Sequence, residues 1–217
     1  NALYVQHGVE YATDDVSGTA LEPGLVRQGR AVEMKFFNDM GVYDRIPRAQ
    51  MTAAGGKTIK TRWIDVNKGD IERPNYRSRL VGKEFKTTAD DSLYASTPPL
   101  EALRLIASRA ATRYGRTGQY RELMINDVAR AYFHALATRD VYIELPEEDE
   151  QSGQHMVGKL RLCLYGTRDA ATNWQTTLSD HLEGLGFKRG KACPSVFVHP
   201  EKDIWTHGVS AYTDFHI

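Results

Sequence analysis

The chain has 217 residues, enough for one large domain or two small ones. Its 28 lysines and arginines balance 28 aspartates and glutamates, so overall charge makes no case for a nucleic-acid partner and any such case must be local. Apolar residues make up 41% and mean hydropathy is −0.49; that allows a core but leaves wide polar surfaces, and no apolar run approaches the ~20 residues that span a membrane.

Cys163 and Cys193 have neither CxxC nor Cys/His ligand spacing and read as reduced thiols in a reducing compartment. No signal peptide is visible. The sequence begins at Asn1 and stops at Ile217 in mid-pattern, so it reads as a fragment.

Residues 1–29 carry Asp14, Asp15, Gly18, Pro23 and Gly24 with little periodicity, and read as a poorly ordered leader or partner-dependent arm. Residues 31–40 (AVEMKFFNDM) suit a short amphipathic helix ended by Gly41. Two β-prone runs follow, residues 58–66 and 76–85, about the turn chemistry of Asn67, Lys68, Gly69 and Asp70. They predict a β-hairpin. Across residues 57–86, nine cations face four acids, and the cations include Lys57, Lys60, Arg62, Arg77, Arg79 and Lys83. The hairpin is either solvated, its edge lysines deterring aggregation, or in contact with phosphates.

Thr97 and Pro98 are the expected N-cap and first position of a second helix, with Leu100, Leu103, Ile106, Ala107, Ala110, Ala111 and Tyr114 as its buried stripe and Gly115 as its stop. Arg104, Arg109, Arg113 and Arg116 lie off that stripe or just beyond it, with no acid between Glu101 and Glu122. They form either a solvated face or a nucleic-acid or partner contact.

Residues 121–133 (RELMINDVARAYF) organise the rest. Leu123, Met124 and Ile125 read as a buried strand ending at Asp127. A carboxylate there caps the helical turn beginning at Val128, is paired, or holds a metal. Beyond it come a β-like run at 140–146, a solvated acidic loop at 147–153 and a strand at 159–165. A helix over 168–183 is buried through Ala170, Ala171, Trp174, Leu178 and Leu182. Strands at 195–199 and 204–212 follow, with Asp214 just past the last. The order predicts an α+β fold with a boundary near residue 120. Asp127 and Asp214 lie 87 residues apart, each after an apolar β run. If those strands are neighbours, the two carboxylates suit Mg²⁺ with open positions for water and phosphate.

Six stretches, in order, resemble the reverse transcriptase domain of copia-type LTR retrotransposon Pol polyproteins. They are residues 60–85 (KTRWIDVNKGD through YRSRLVGKEF), 94–105 (YASTPPLEALRL), 125–133 (INDVARAYF), 141–146 (VYIELP), 164–174 (LYGTRDAATNW) and 186–197. The resemblance implies the fingers and palm of a right-hand polymerase, truncated before the thumb. Its fingers would be residues 30–120 and its incomplete palm residues 121–217. It implies two-metal, RNA-directed DNA polymerisation with Mg²⁺ (or Mn²⁺), a template-primer and deoxynucleoside triphosphates. The rest of the polyprotein (thumb, RNase H, integrase) is implied as a partner, no membrane is, and the location is an intracellular particle or the nucleus.

By the same resemblance Asp127 and Asp214 are catalytic metal ligands, and Tyr132 is the bulky residue that excludes the ribose 2′-hydroxyl. Arg77, Arg79 and Lys83 lie in the hairpin that grips the triphosphate. Tyr165 and Gly166 lie under the templating base pair. Lys57, Lys60, Arg62, Arg109 and Arg113 are candidate nucleic-acid contacts.

Two departures stand out. Arg168 and Asp169 occupy the family's usual Lys-Gln positions, and an acid beside a triphosphate is electrostatically unhelpful. The terminal Tyr212, Thr213, Asp214 and Phe215 replace Tyr-x-Asp-Asp: aligned on the tyrosine, Phe215 replaces the second aspartate; aligned on the phenylalanine, Thr213 replaces the first; a one-residue deletion is a third alignment. In each case a carboxylate is missing. The expectation is a reverse transcriptase core with little or no activity as this fragment. The alternative is a degenerate, non-enzymatic retroelement remnant with weak nucleic-acid binding.

Overall fold

A computed structural model describes residues 3–6, 9–85, 99–113, 118, 120–125 and 127–207. They group into two units: residues 1–89 with 136–170, and residues 90–135 with 171–217. This grouping follows contacts rather than chain order, so the first unit draws on residues from both sides of residue 120.

In the first unit, the expected leader carries a three-stranded antiparallel sheet, β1 (Leu3–Gln6), β2 (Val9–Thr13) and β3 (Ala20–Leu21). Ala12 and Leu21 pack with Val26, against Leu3 and Tyr76. Two acids tie the segment down. Buried Asp14 accepts the N–H groups of Val16, Ser17 and Asn67 at 2.8–2.9 Å. Asp15 accepts the Asp65 N–H at 2.8 Å, and its own N–H donates to the Asp65 carbonyl. Side-chain-to-backbone pairing leaves no periodic trace in sequence, which is why this order was hidden.

Helix α1 spans Pro23–Met40 rather than starting at residue 31. The Glu22 carboxylate accepts the N–H groups of Gly24 and Leu25, Pro23 opens the first turn, and Gly41 closes the helix at φ 62°. Its buried residues are Val26, Arg30, Glu33, Met34 and Phe37. Two of them are charged, so an apolar stripe could not be read through the first half.

The remaining elements of this unit are β4 (Tyr43–Pro47), α2 (Arg48–Ala53), β5 (Thr58–Asn67), β6 (Tyr76–Lys83), β7 (Tyr142–Ile143) and β8 (Met156–Leu160). The strands form one sheet in the order β4-β8-β7-β5-β6. β5 and β6 are the predicted hairpin, in register from Lys60 opposite Lys83 to Asn67 opposite Tyr76; β7 pairs with β5 in parallel.

The acidic loop at 147–153 is no bare solvated connection. Arg30 donates to Asp65 at 2.7 Å and to Glu148 at 2.8 Å. It also lies over the Trp63 ring at 5.2 Å, while the Trp63 indole N–H donates to Glu148 at 2.7 Å. Buried Asp149 accepts the Tyr43 hydroxyl at 2.5 Å and the Arg45 guanidinium. These charges fasten the loop to α1, β4 and β5. Such pairs add little net stability, but removing one partner strands a buried charge.

The second unit contains α3 (Leu100–Ala111), a 3₁₀ turn (Ala131–His134) and α4 (Ala170–Gly184, from Ala171 on). Its sheet comprises β9 (Lys188–Arg189), β10 (Val196–His199) and β11 (Ile204–His207), ordered β11-β10-β9. α3 buries Ala102 and Ile106, whereas the predicted stripe residues Leu100 and Leu103 are exposed. The expected signals Thr97, Pro98, Tyr114 and Gly115 lie outside the described residues. No described helix is long and apolar enough to cross a membrane.

Candidate functional site

The register of β5 and β6 sorts their side chains onto two faces. Thr61, Trp63, Asp65, Ser78, Leu80 and Gly82 share one face, and α1 covers it: Arg30 reaches Asp65, and a Cβ on Gly29 would lie 2.8 Å from the Ser78 hydroxyl oxygen. The opposite face carries Lys60, Arg62, Arg77, Arg79 and Lys83, so most of the hairpin's cations converge there. Lys60, Arg77 and Lys83 are exposed; Arg62 and Arg79 are half-buried beside the buried side chains of Ile64, Val66 and Val81. Lys60 and Lys83 are cross-strand partners, and like charges directly opposite repel. Lys57 is exposed just before β5.

The segment after β8 runs along the β6 edge. The Gly82 N–H donates to the Tyr165 carbonyl at 2.7 Å, and the Glu84 N–H to the Gly166 carbonyl at 3.3 Å. Tyr165 is buried, and the Arg79 guanidinium lies 5.2 Å from its ring centroid. Gly166 has a φ of 81°, a conformation glycine adopts at low cost. Its position in the fold is therefore demanded by backbone geometry.

Three charged residues that the sequence reading left out or placed elsewhere meet here. Arg139 donates to both Glu84 oxygens at 2.7 and 2.6 Å and to Asp169 at 2.8 Å. Glu84 also accepts the Arg168 N–H at 2.9 Å. Burial pushes the Glu84 carboxyl up, but Arg139 and that N–H outweigh burial and hold it below its usual range. The bonds to Glu84 and Asp169 raise the Arg139 guanidinium further above its ordinary value. Asp169 is buried, so its charge is engaged inside the fold. Arg139 is 55 residues from Glu84 and 30 from Asp169, and no spacing signal joins them.

The stretch around Asp127 differs most from expectation. Leu123, Met124 and Ile125 form no strand and are 55%, 79% and 88% exposed. Asp127 is exposed on irregular backbone. A short turn at residues 129–130 follows, and the 3₁₀ turn begins only after Arg130, which occupies its N-cap position at φ 51° without a side-chain cap bond, so Asp127 does not cap the 3₁₀ turn. Tyr132 lies half-buried in that turn. Asp214 and its neighbours 212, 213 and 215 lie outside the described residues, and among the described residues no three His, Cys, Asp or Glu side chains cluster as metal ligands. Asp127 thus offers a hard, accessible oxygen donor of the kind Mg²⁺ takes.

Arg109 is not a bare cation. It pairs with Asp203, which also holds Arg121 at 2.8 Å, and it lies 4.3 Å from the Trp205 ring centroid. The acid missing from the local sequence arrives from the β10–β11 turn. Arg113 donates to the Tyr120 hydroxyl at 3.1 Å.

Residues 49–212 match the family model described as reverse transcriptase (RNA-dependent DNA polymerase). The retrovirus-related Pol polyprotein from transposon TNT 1-94 of Nicotiana tabacum is 26% identical over 171 residues, covering 76% of this chain and 12% of that protein. The retrovirus-related Pol polyprotein from transposon RE1 of Arabidopsis thaliana is 28% identical over 153 residues, covering 70% of this chain and 10% of that protein. The chain therefore spans about a tenth of the length of these relatives. No solved structure gives a significant match.

Proposed function

Because this chain belongs to the reverse transcriptase (RNA-dependent DNA polymerase) family, we propose that it is the nucleotide- and template-binding core of an RNA-directed DNA polymerase within a retrotransposon Pol polyprotein. The observation that carries the proposal is the single hairpin face bearing Lys60, Arg62, Arg77, Arg79 and Lys83. Arg77, Arg79 and Lys83 bind the incoming triphosphate, the arginines through forked donors and the lysine as a point charge. Lys57, Lys60, Arg62 and Arg113 contact template-primer phosphates. Arg109, engaged by Asp203, holds α3 to the β10–β11 turn instead.

Tyr132 sets the sugar preference by occupying the space of a ribose 2′-hydroxyl, and Tyr165 and Gly166 support the templating pair. The family generally uses divalent ions, and Asp127 with Asp214 would hold Mg²⁺, or Mn²⁺ in its place. The metal, when bound, supplies charge stabilisation to phosphoryl transfer. The chain's own residues bind and orient the triphosphate and the primer end.

These 217 residues alone extend a primer little or not at all. One carboxylate of the paired motif is absent from Tyr212, Thr213, Asp214 and Phe215, a loss on the order of several kcal/mol of transition-state stabilisation. A second reading, a non-catalytic remnant that keeps weak nucleic-acid binding, is favoured by the exposed, strandless residues 122–125 before Asp127.

Binding of a labelled RNA–DNA primer-template, followed by anisotropy across a salt series, tests the hairpin assignment. Lys60→Gln with Arg62→Gln should weaken binding and lower the slope of log K against log salt by about 1–2. Unchanged affinity and slope would refute it.

A further inference from the structure

We propose that Glu84, Arg139 and Asp169 act as a positioning clasp that fastens the turn at residues 165–168 to the end of the β5–β6 hairpin and so fixes the Arg79 guanidinium for an anionic phosphate group. This rests on the reading of the hairpin as a triphosphate site. The clasp closes from three directions. Arg139 bridges Glu84, just past β6, and Asp169, in the turn just before α4. Glu84 in turn accepts the Arg168 N–H. Between those anchors, the backbone of residues 165–166 pairs with Gly82 and Glu84.

Tyr165 is thereby held where its ring meets the Arg79 guanidinium. Arg79 Nη1 is buried and has no hydrogen-bond partner among the described residues. A buried donor without an acceptor is costly, and a phosphate oxygen is an acceptor that matches a guanidinium donor. The clasp also accounts for the acid at position 169: it is turned inward and neutralised by Arg139, so it need not oppose a bound phosphate. Glu84, Arg139 and Asp169 are therefore positioning residues, acting on the ligand through Tyr165 and Arg79.

The test is calorimetric titration of the full chain with dTTP in Mg²⁺. Arg79→Gln and Arg139→Gln should each weaken binding about tenfold, while the double variant should bind no more weakly than Arg79→Gln alone, because both act through one guanidinium. Arg139→Lys should recover only part of the loss, since an ammonium cannot bridge two carboxylates as a fork does. Arg48→Gln, which removes an equal charge from the separate pair with Glu144, should leave affinity within about twofold as a charge control. Thermal melts accompany each titration; should Arg139→Gln be unfolded, Glu84→Gln takes its place with the same expected non-additivity. Multiplying losses, or full affinity in Arg139→Gln while Arg79→Gln is weakened, would overturn the clasp alone. Wild-type protein that binds no dTTP would overturn the triphosphate reading and the clasp with it.

Discussion

A methyl group on Gly166 would lie 2.1 Å from the carbonyl oxygen of Gly82. That contact cannot relax without moving β6 or the turn, because both partners are backbone. Gly166→Ala should therefore lower the urea unfolding midpoint and weaken dTTP binding together. Gly153→Ala supplies the comparison: its φ is 74° but nothing lies within 4 Å of its Cβ position. It should show only the backbone cost of about 1–2 kcal/mol, with binding unchanged. Equal stability losses in the two variants would mean that the Gly82 approach is not a close one.

Arg30→Gln should cost about 3–5 kcal/mol in equilibrium unfolding, because it leaves the buried Asp65 carboxylate without its main counter-charge. Lys35→Gln removes an exposed i,i+4 partner of Asp39 and should cost under about 0.5 kcal/mol. Comparable effects from the two would contradict the burial described for Arg30.

The depressed carboxyls predict an acid limb to the stability curve. Burial raises Glu84, but Arg139 and the Arg168 N–H overcome it and hold Glu84 below its ordinary 4.5. Glu144 is held below 4.5 chiefly by Arg48. A depressed folded-state value means that the stabilisation is fully present above about pH 4.5. It is lost as pH falls through the lowered values. Unfolding free energy should thus fall below pH 4.5, and Arg139→Gln should flatten that fall by returning Glu84 toward its ordinary value. An Arg139→Gln curve as steep as wild type would contradict the pairing.

Leu123→Ser and Ile125→Ser each should change stability by less than about 0.5 kcal/mol, since both side chains are exposed. A buried strand in their place would lose about 2–5 kcal/mol per substitution. Chemical denaturation separates the two cases directly.

Much of the fold was legible where local chemistry decides it. The turn residues Asn67 to Asp70 and the flanking β-prone runs marked the hairpin, and Gly41 marked the end of α1. The hairpin's local charge excess likewise pointed to its basic face, because strand alternation then sorts Lys60, Arg62, Arg77, Arg79 and Lys83 together. What stayed hidden was built from charged groups paired across long sequence separations. Arg30 and Glu33 interrupt the stripe of α1, Asp14 and Asp15 bond to backbone, and Glu84, Arg139 and Asp169 share no motif. The apolar run at 123–125 misled in the other direction, since composition alone cannot tell a buried strand from an exposed segment.

Primer extension on poly-rA/oligo-dT with Mg²⁺ or Mn²⁺ tests the assignment of reverse transcriptase chemistry most directly. The proteins to compare are the wild-type chain, Phe215→Asp, and Phe215→Asp with Asp127→Asn. Phe215→Asp should extend the primer at least a hundredfold faster than wild type, and adding Asp127→Asn should abolish the gain. Extension by Phe215→Asp that survives loss of Asp127, or a Phe215→Asp protein that binds the primer-template and never extends it, would contradict the assignment of Asp127 and Asp214 as the catalytic carboxylates.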